Sequence, residues 1–206
     1  MKHFVLSLLL AASFLSNAQY WQQAIDYTME VSLDAETANY SGTQSLVYTN
    51  NSPETLYKVF YHLYFNAFQP GSEMAIRLKS SPDRNTRFKV DLDSLTKEQQ
   101  GFLNVSNLTQ DGMAVKTVNS ETILEVLLNE PIPPGGSSTF KLEFEGHVPD
   151  VIRRAGKNSA EGVAFSMAQW YPKMAEYDLE GWNADPYTGR EFHGVWGDFD
   201  VKITLD

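Results

Sequence analysis

The 206-residue sequence contains no cysteine. That excludes disulfide staples, thiolate nucleophiles and cysteine-ligated zinc, so an exported form of the chain must hold its fold by its core alone. Positive charge is scarce: 16 Lys and Arg stand against 26 Asp and Glu, a formal net charge of −10. The pI is near 4.8. A nucleic-acid partner would require a basic face, so no such partner is expected. No helical period runs beyond two or three turns, and no apolar run reaches the roughly 20 residues that cross a bilayer. Glycine-rich phosphate loops, the dinucleotide fingerprint, G-x-S-x-G and H-E-x-x-H are all missing. Their absence removes the usual sequence signs of nucleotide binding, of a nucleophile elbow and of a helical zinc site.

At the N-terminus, Lys2 and His3 precede an apolar run from Phe4 to Leu15, and Ser16-Asn17-Ala18 supplies small residues where a signal peptidase reads. Residues 1–18 are therefore read as a signal peptide, and 19–206 as one exported domain, periplasmic, cell-surface or extracellular. Such a domain has no membrane span once the signal is removed.

The mature part alternates. Asp26–Asp34 places Tyr27, Met29, Val31 and Leu33 on one face, the pattern of a half-buried strand. A turn over Ala35–Tyr40 with Asn39 at its tip leads to a second strand over Ser41–Thr49. Asn50-Asn51-Ser52-Pro53 breaks the pattern. Leu56–Phe65 reads as a strand buried on both faces. Asp93–Gln100 reads as a short helix capped by Ser94 or Asp93. Phe102–Leu108, Thr122–Leu128 and Thr139–Gly146 read as strands, the last two as a hairpin with a long loop at Glu130–Ser138. Many short strands with turns between them predict an all-β sandwich with long ordered loops.

Chemistry-bearing residues are sparse. His62 lies inside an aromatic strand and reads as a satisfied core or sheet-edge histidine. His147 and His193 flank turns and read as solvated loop residues. Asp91 and Asp93, and Asp198 and Asp200, read as turn and cap residues rather than calcium ligands. Asn50, Asn104 and Asn107 each begin a glycosylation sequon. The last 38 residues are the most aromatic, with Trp170, Tyr171, Trp182, Tyr187, Phe192, Trp196 and Phe199. Rings of that size bury on the order of 150–250 Å² each, so they either close the core or pack on a partner.

Three stretches of this segment, QWYPKMAEYD, GWNADPYTGREF and WGDFDVKITL, resemble the end of the N-terminal β domain of zinc aminopeptidases of the aminopeptidase N family. YWQQAIDYTMEVSLD and YHLYFNAF resemble the opening strands of that domain. The resemblance covers residues 20–206 and is closest to secreted bacterial members. It implies a saddle-like, mostly antiparallel β-sandwich that is not itself catalytic. It further implies a missing catalytic domain as partner, which would bind zinc through H-E-x-x-H, hold a peptide substrate's free amino terminus through G-x-M-E-N, and cleave the first peptide bond. On this resemblance the chain ends one or two strands before the β domain is complete. No zinc is expected in the chain itself, and Trp170, Tyr171, Trp182, Tyr187 and Trp196 are expected at the domain interface. The family also lends a Gln or Glu from this domain to the substrate amino group, upstream of a Phe-Pro-Cys-x-Asp stretch. Tyr171-Pro172-Lys173, with Asp178 further on, takes that place here with the cysteine replaced and the spacing changed. Gln169 is then the nearest candidate, and Glu161 the second by spacing. The alternative is a free-standing exported β-sandwich that binds a peptide, glycan or protein through its aromatic end. For the truncated domain, an unpaired last strand and an uncovered aromatic face predict marginal stability and a tendency to aggregate.

Overall fold

The computed structural model describes residues 20–80, 91–150, 155–158, 162–188 and 193–206. The expected signal peptide, Glu161, Phe192 and most of the segment 80–85 lie outside the described residues. The strands are β1 (Ala24–Leu33), β2 (Asn39–Thr49), β3 (Leu56–His62), β4 (Phe102–Gln110), β5 (Met113–Ala114), β6 (Lys116–Ser120), β7 (Ile123–Ile132), β8 (Ser137–His147), β9 (Gly156–Lys157), β10 (Phe165–Ser166), β11 (Lys173–Met174), β12 (Tyr177–Asp178), β13 (Gly181–Trp182) and β14 (Gly197–Leu205). One α-helix, α1, spans Glu73–Ser80.

Two sheets carry the fold. The larger has the order β14-β1-β2-β8-β4-β5, the smaller β11-β3-β7-β6. The alternation read from the sequence is the cause of the first. Ile25, Tyr27, Met29, Val31 and Leu33 of β1, Tyr40, Leu46 and Tyr48 of β2, and Phe140, Leu142 and Phe144 of β8 are all buried in one core. Val59 and Tyr61 of β3 and Leu124 and Val126 of β7 enter the same core from the smaller sheet. The architecture is all-β, two sheets around one core, as expected. Two glycines make room for rings on neighbouring strands. Gly42 lies opposite Phe144 and Gly146 opposite Tyr40. A Cβ on Gly42 would sit 2.6 Å from the Glu30 carbonyl oxygen and 2.7 Å from the Phe144 ring.

β4 shows how a bulge rephases a strand. Leu103 faces the core, but after the register shift at Asn107, whose φ is 52°, the core-facing positions become Leu108 and Gln110. The extra residue changes the parity of every side chain beyond it.

Several expectations need correction. β7 and β8 do not form a hairpin: β7 pairs with β3 and β6, and β8 with β2 and β4. The turn after Ile132 crosses between sheets. It is tied to the end of β2 by Gly135 N–H to Asn50 O at 2.7 Å and Asn50 N–H to Gly136 O at 2.9 Å. Both strands carry apolar faces, and placing them in opposite sheets lets each cover the other. The expected Asp93–Gln100 helix is a single 3₁₀ turn over Leu92–Ser94. Its cap is Asp91, which accepts from Asp93 N–H at 3.1 Å. Asp93 itself accepts from Gly71 N–H at 2.7 Å and pairs with Lys79. The β1–β2 turn has its left-handed residue at Ala38, φ 60°, and Asn39 opens β2. β3 stops at His62, with Tyr57 and Lys58 exposed; burial on both faces begins only at Tyr61 and continues through a 3₁₀ turn at Tyr64–Ala67.

His147 is not solvated. It ends β8, is 7% exposed, and donates from Nδ1 to Gln100 O at 2.7 Å. Asn50 is fully buried. Its Nδ2 donates to Glu54 O at 2.7 Å and Ile132 O at 3.0 Å, while its Oδ1 accepts from Ser52 Oγ at 2.6 Å. A corner post of this kind offers no access for a glycan. Last, the terminal strand is not unpaired. β14 runs parallel to β1 in unbroken register from Ile25↔Gly197 to Leu33↔Leu205. Among the described residues it is the one parallel neighbour in the two large sheets.

Candidate functional site

Residues 169–174 cross the gap between the sheets, and both sheets hold them. From the larger sheet, Tyr40 Oη donates to Trp170 O at 2.6 Å and Gln44 Nε2 donates to Pro172 O at 2.9 Å. Tyr27 Oη accepts from Met174 N–H at 2.9 Å. From the smaller sheet, β11 pairs with β3 through Lys173↔His62 and Met174↔Tyr61. Burial lifts the Tyr27 and Tyr40 phenols well above their ordinary range. Both therefore stay neutral hydrogen-bonding groups at any physiological pH.

Gln169 begins this crossing. Its φ is 61°, a left-handed conformation that costs a non-glycine residue roughly 1–2 kcal/mol. Its side-chain Oε1 is buried and has no hydrogen-bond partner among the described residues. A buried acceptor without a partner is unfavourable in itself, so the corner carries two costs that its own fold does not offset. An amide oxygen in this state can accept from an ammonium or another donor.

The expected interface rings divide into four groups. Trp170 packs edge-on to Tyr40 at 6.1 Å and to Tyr171 at 5.4 Å. Tyr171 meets Tyr27 at 5.6 Å and Phe199 at 6.0 Å, and burial pushes its phenol up to about 12. Trp182 belongs to a second cluster, against Phe60 at 5.5 Å and Tyr177 at 5.1 Å. Tyr187 is core: it is buried against Tyr64 and Phe68, and its N–H donates to Thr122 Oγ1 at 3.0 Å. Trp196 is different, at 78% exposed, and Phe199 is half-exposed. Most of the aromatic segment therefore closes the sandwich, and the surface left for a partner narrows to Trp196, Phe199 and the half-buried Trp170–Tyr171 corner.

A second feature has no counterpart in the sequence reading. A cleft of about 490 Å³ is lined by His62, Tyr64, Glu73, Arg77, Asp185 and His193, among others. Residues 62 and 193 lie far apart in the chain, so no local spacing could have joined them. His62 is buried and donates from Nε2 to Asn183 O at 3.0 Å. Burial depresses it to about 4, so its ring is neutral near pH 7. Lys173 pairs across from His62; burial lowers it and raises Glu176. Among the described residues no three His, Asp or Glu side chains group as metal ligands would.

No family model matches the chain, and no curated protein matches it. Solved structures do. A two-domain M1 zinc metallopeptidase mutant bound to L-arginine superposes with a TM-score of 0.51 at 16% identity, over 89% of this chain and 33% of that one. The M1 zinc metallopeptidase from Deinococcus radiodurans gives a TM-score of 0.50 at 16% identity, over 89% of this chain and 32% of that one. The chain thus shares a β fold with part of these enzymes and spans about a third of their length.

Proposed function

We propose that this chain is the non-catalytic β domain of an exported zinc-dependent aminopeptidase of the M1 kind. In this reading a catalytic domain packs on the surface around Trp196, Phe199 and the Trp170–Tyr171 corner. Gln169 reaches from that corner to the free amino group of a peptide substrate. The observation that carries the reading is Gln169 itself, a buried, unpartnered amide oxygen on a left-handed backbone, in a fold shared with M1 metallopeptidases. In this reading the metal and the attacking water belong to the other domain; among the described residues of this chain no three His, Asp or Glu side chains group as metal ligands would.

Two experiments test this. Sequencing the gene past codon 206 should reveal an open frame carrying H-E-x-x-H. In the enzyme it encodes, Gln169→Ala should raise KM for aminoacyl-anilides by about 10- to 100-fold, the worth of a hydrogen bond to a charged group. Gln169→Glu should restore binding. An unchanged KM would refute the role of Gln169, and aminoacyl-anilide hydrolysis by the purified 206-residue chain, abolished by a chelator, would refute its being non-catalytic. The exposure of Trp196 also suits the alternative, a free-standing domain that binds a partner through this surface. An immediate stop codon would favour that reading.

A further inference from the structure

The cleft between the end of β3, the helix α1 and the loop 183–188 has two chemically unlike poles. At the first, His62 lines the cleft and is only 4% exposed. Burial keeps its ring neutral, against the opposing pull of the Asn183 carbonyl and of Asp185. A neutral imidazole has one N–H, and here Asn183 O takes it. Nδ1 is left as a buried acceptor with no partner among the described residues. Asp185, exposed on the loop, lines the same cleft. An acceptor beside a carboxylate calls for a donor that is also positive. An anion would meet a lone pair and a like charge there. The Tyr64 ring lies flat on His62, at 4.9 Å and 9°, so this pole is also walled by aromatic surface, which favours a cation further. Lys173, across from His62 in the sheet, does not line the cleft, and its charge faces Glu176.

The second pole is Arg77, on the helix wall of the cleft. Its Nη1 donates to Thr188 Oγ1 at 3.3 Å, which ties the guanidinium across to the loop. Glu73 stands one turn earlier on α1, yet Arg77 makes no ion pair with it or with any other carboxylate among the described residues. A guanidinium held in place with N–H groups to spare is a carboxylate site. We propose that the cleft binds a small zwitterion, an amino acid whose ammonium group sits between His62 Nδ1 and Asp185 and whose carboxylate meets Arg77. The volume of about 490 Å³ falls in the range of small-molecule sites. Each pole of the ligand is matched by a group on the protein, so neither charge is desolvated without a partner. Binding here goes beyond the proposed function and does not depend on it.

Titration calorimetry of the purified chain tests it. Glycine, 4-aminobutyrate and 6-aminohexanoate carry the same two charges at increasing separation. At least one should bind with a dissociation constant of about 1 mM or below, and about tenfold tighter than the matching amine or acid that lacks its other pole. Asp185→Asn should weaken both the zwitterion and the plain amine by about tenfold. Arg77→Gln should weaken the zwitterion by about as much and leave the amine unchanged. Both side chains are exposed, so both variants should fold. The Nδ1 resonance of His62, identified by its loss in His62→Gln, should move when the zwitterion or the amine binds. Four results would each overturn the proposal: no saturable binding below about 10 mM, the acid binding as tightly as the zwitterion, an unmoved His62 resonance, or variants that affect the two ligands in any other pattern. So would a longer protein that fills the cleft with residues of its own, since it would bind none of the probes.

Discussion

Three tyrosines in one core should respond to the same substitution with opposite signs. Tyr40 Oη donates to Trp170 O at 2.6 Å, whereas Tyr48 and Tyr61 are fully buried with hydroxyls that have no hydrogen-bond partner among the described residues. Replacement by Phe leaves each ring, and therefore its packing, in place. Tyr40→Phe removes one hydrogen bond and leaves a part-buried carbonyl unpaired, a loss of about 1–2 kcal/mol. Tyr48→Phe and Tyr61→Phe remove a buried hydroxyl that has given up water for nothing, a gain of about 1 kcal/mol each. With a urea m value of about 2 kcal/mol/M, the unfolding midpoint should fall by about 0.5–1 M in the first variant. It should rise by about 0.5 M in each of the other two. Equilibrium urea titration followed by circular dichroism measures all three. A common sign across the series would refute the reasoning, because ring packing alone would then set the response.

The remaining predictions rest on one buried base and one glycine. His62 is held at about 4 by burial, against 6.5 for an ordinary imidazole. The unfolded chain then binds the extra proton between those values, so stability falls as pH drops from about 6.5 to about 4, by about 3 kcal/mol at 1.36 kcal/mol per pH unit. Urea midpoints at pH 7 and pH 4.5 should differ by clearly less in His62→Gln than in the wild type; equal differences would sink the assignment. Gly42→Ala should destabilise by about 1–3 kcal/mol, because its methyl would meet the Glu30 carbonyl and the Phe144 ring. Thermal melts would show this, and an unchanged Tm would mean that β2 and β8 can separate without cost.

The sequence resolved faces well and partners poorly. In β1 the period-two pattern assigned the inward row residue by residue, because a strand with one buried face must alternate. It could not show that Thr139–Gly146 avoids its neighbour Thr122–Leu128. Two apolar faces satisfy a hairpin and a two-sheet crossing equally well, and the choice depends on Asn50 binding the turn from 85 residues away. Nor could it place the exception in β4, where one left-handed Asn shifts the phase. The helix α1 and the 3₁₀ turns are too short to show a period. His147 was misplaced for a related reason: its position at the end of a strand was legible, but the loop at Gln100 that covers it was not.

The Gln169 corner is partly legible in retrospect, and the reason is chemical. Tyr27, Tyr40 and Gln44 all fall on inward positions of β1 and β2, although alternation marks only Tyr27 as core, Tyr40 falling in the expected turn. Each also carries a polar tip, and a buried polar tip needs a partner. Three such tips on two adjacent strands imply a length of backbone running across the inner face of the sheet to receive them. Residues 170–174 are that backbone, supplying the carbonyls of Trp170 and Pro172 and the N–H of Met174. Once those three bonds fix the segment, the residue before it has little freedom. The left-handed backbone of Gln169 follows from how its neighbours are anchored, and that anchoring leaves its amide oxygen buried with no partner among the described residues.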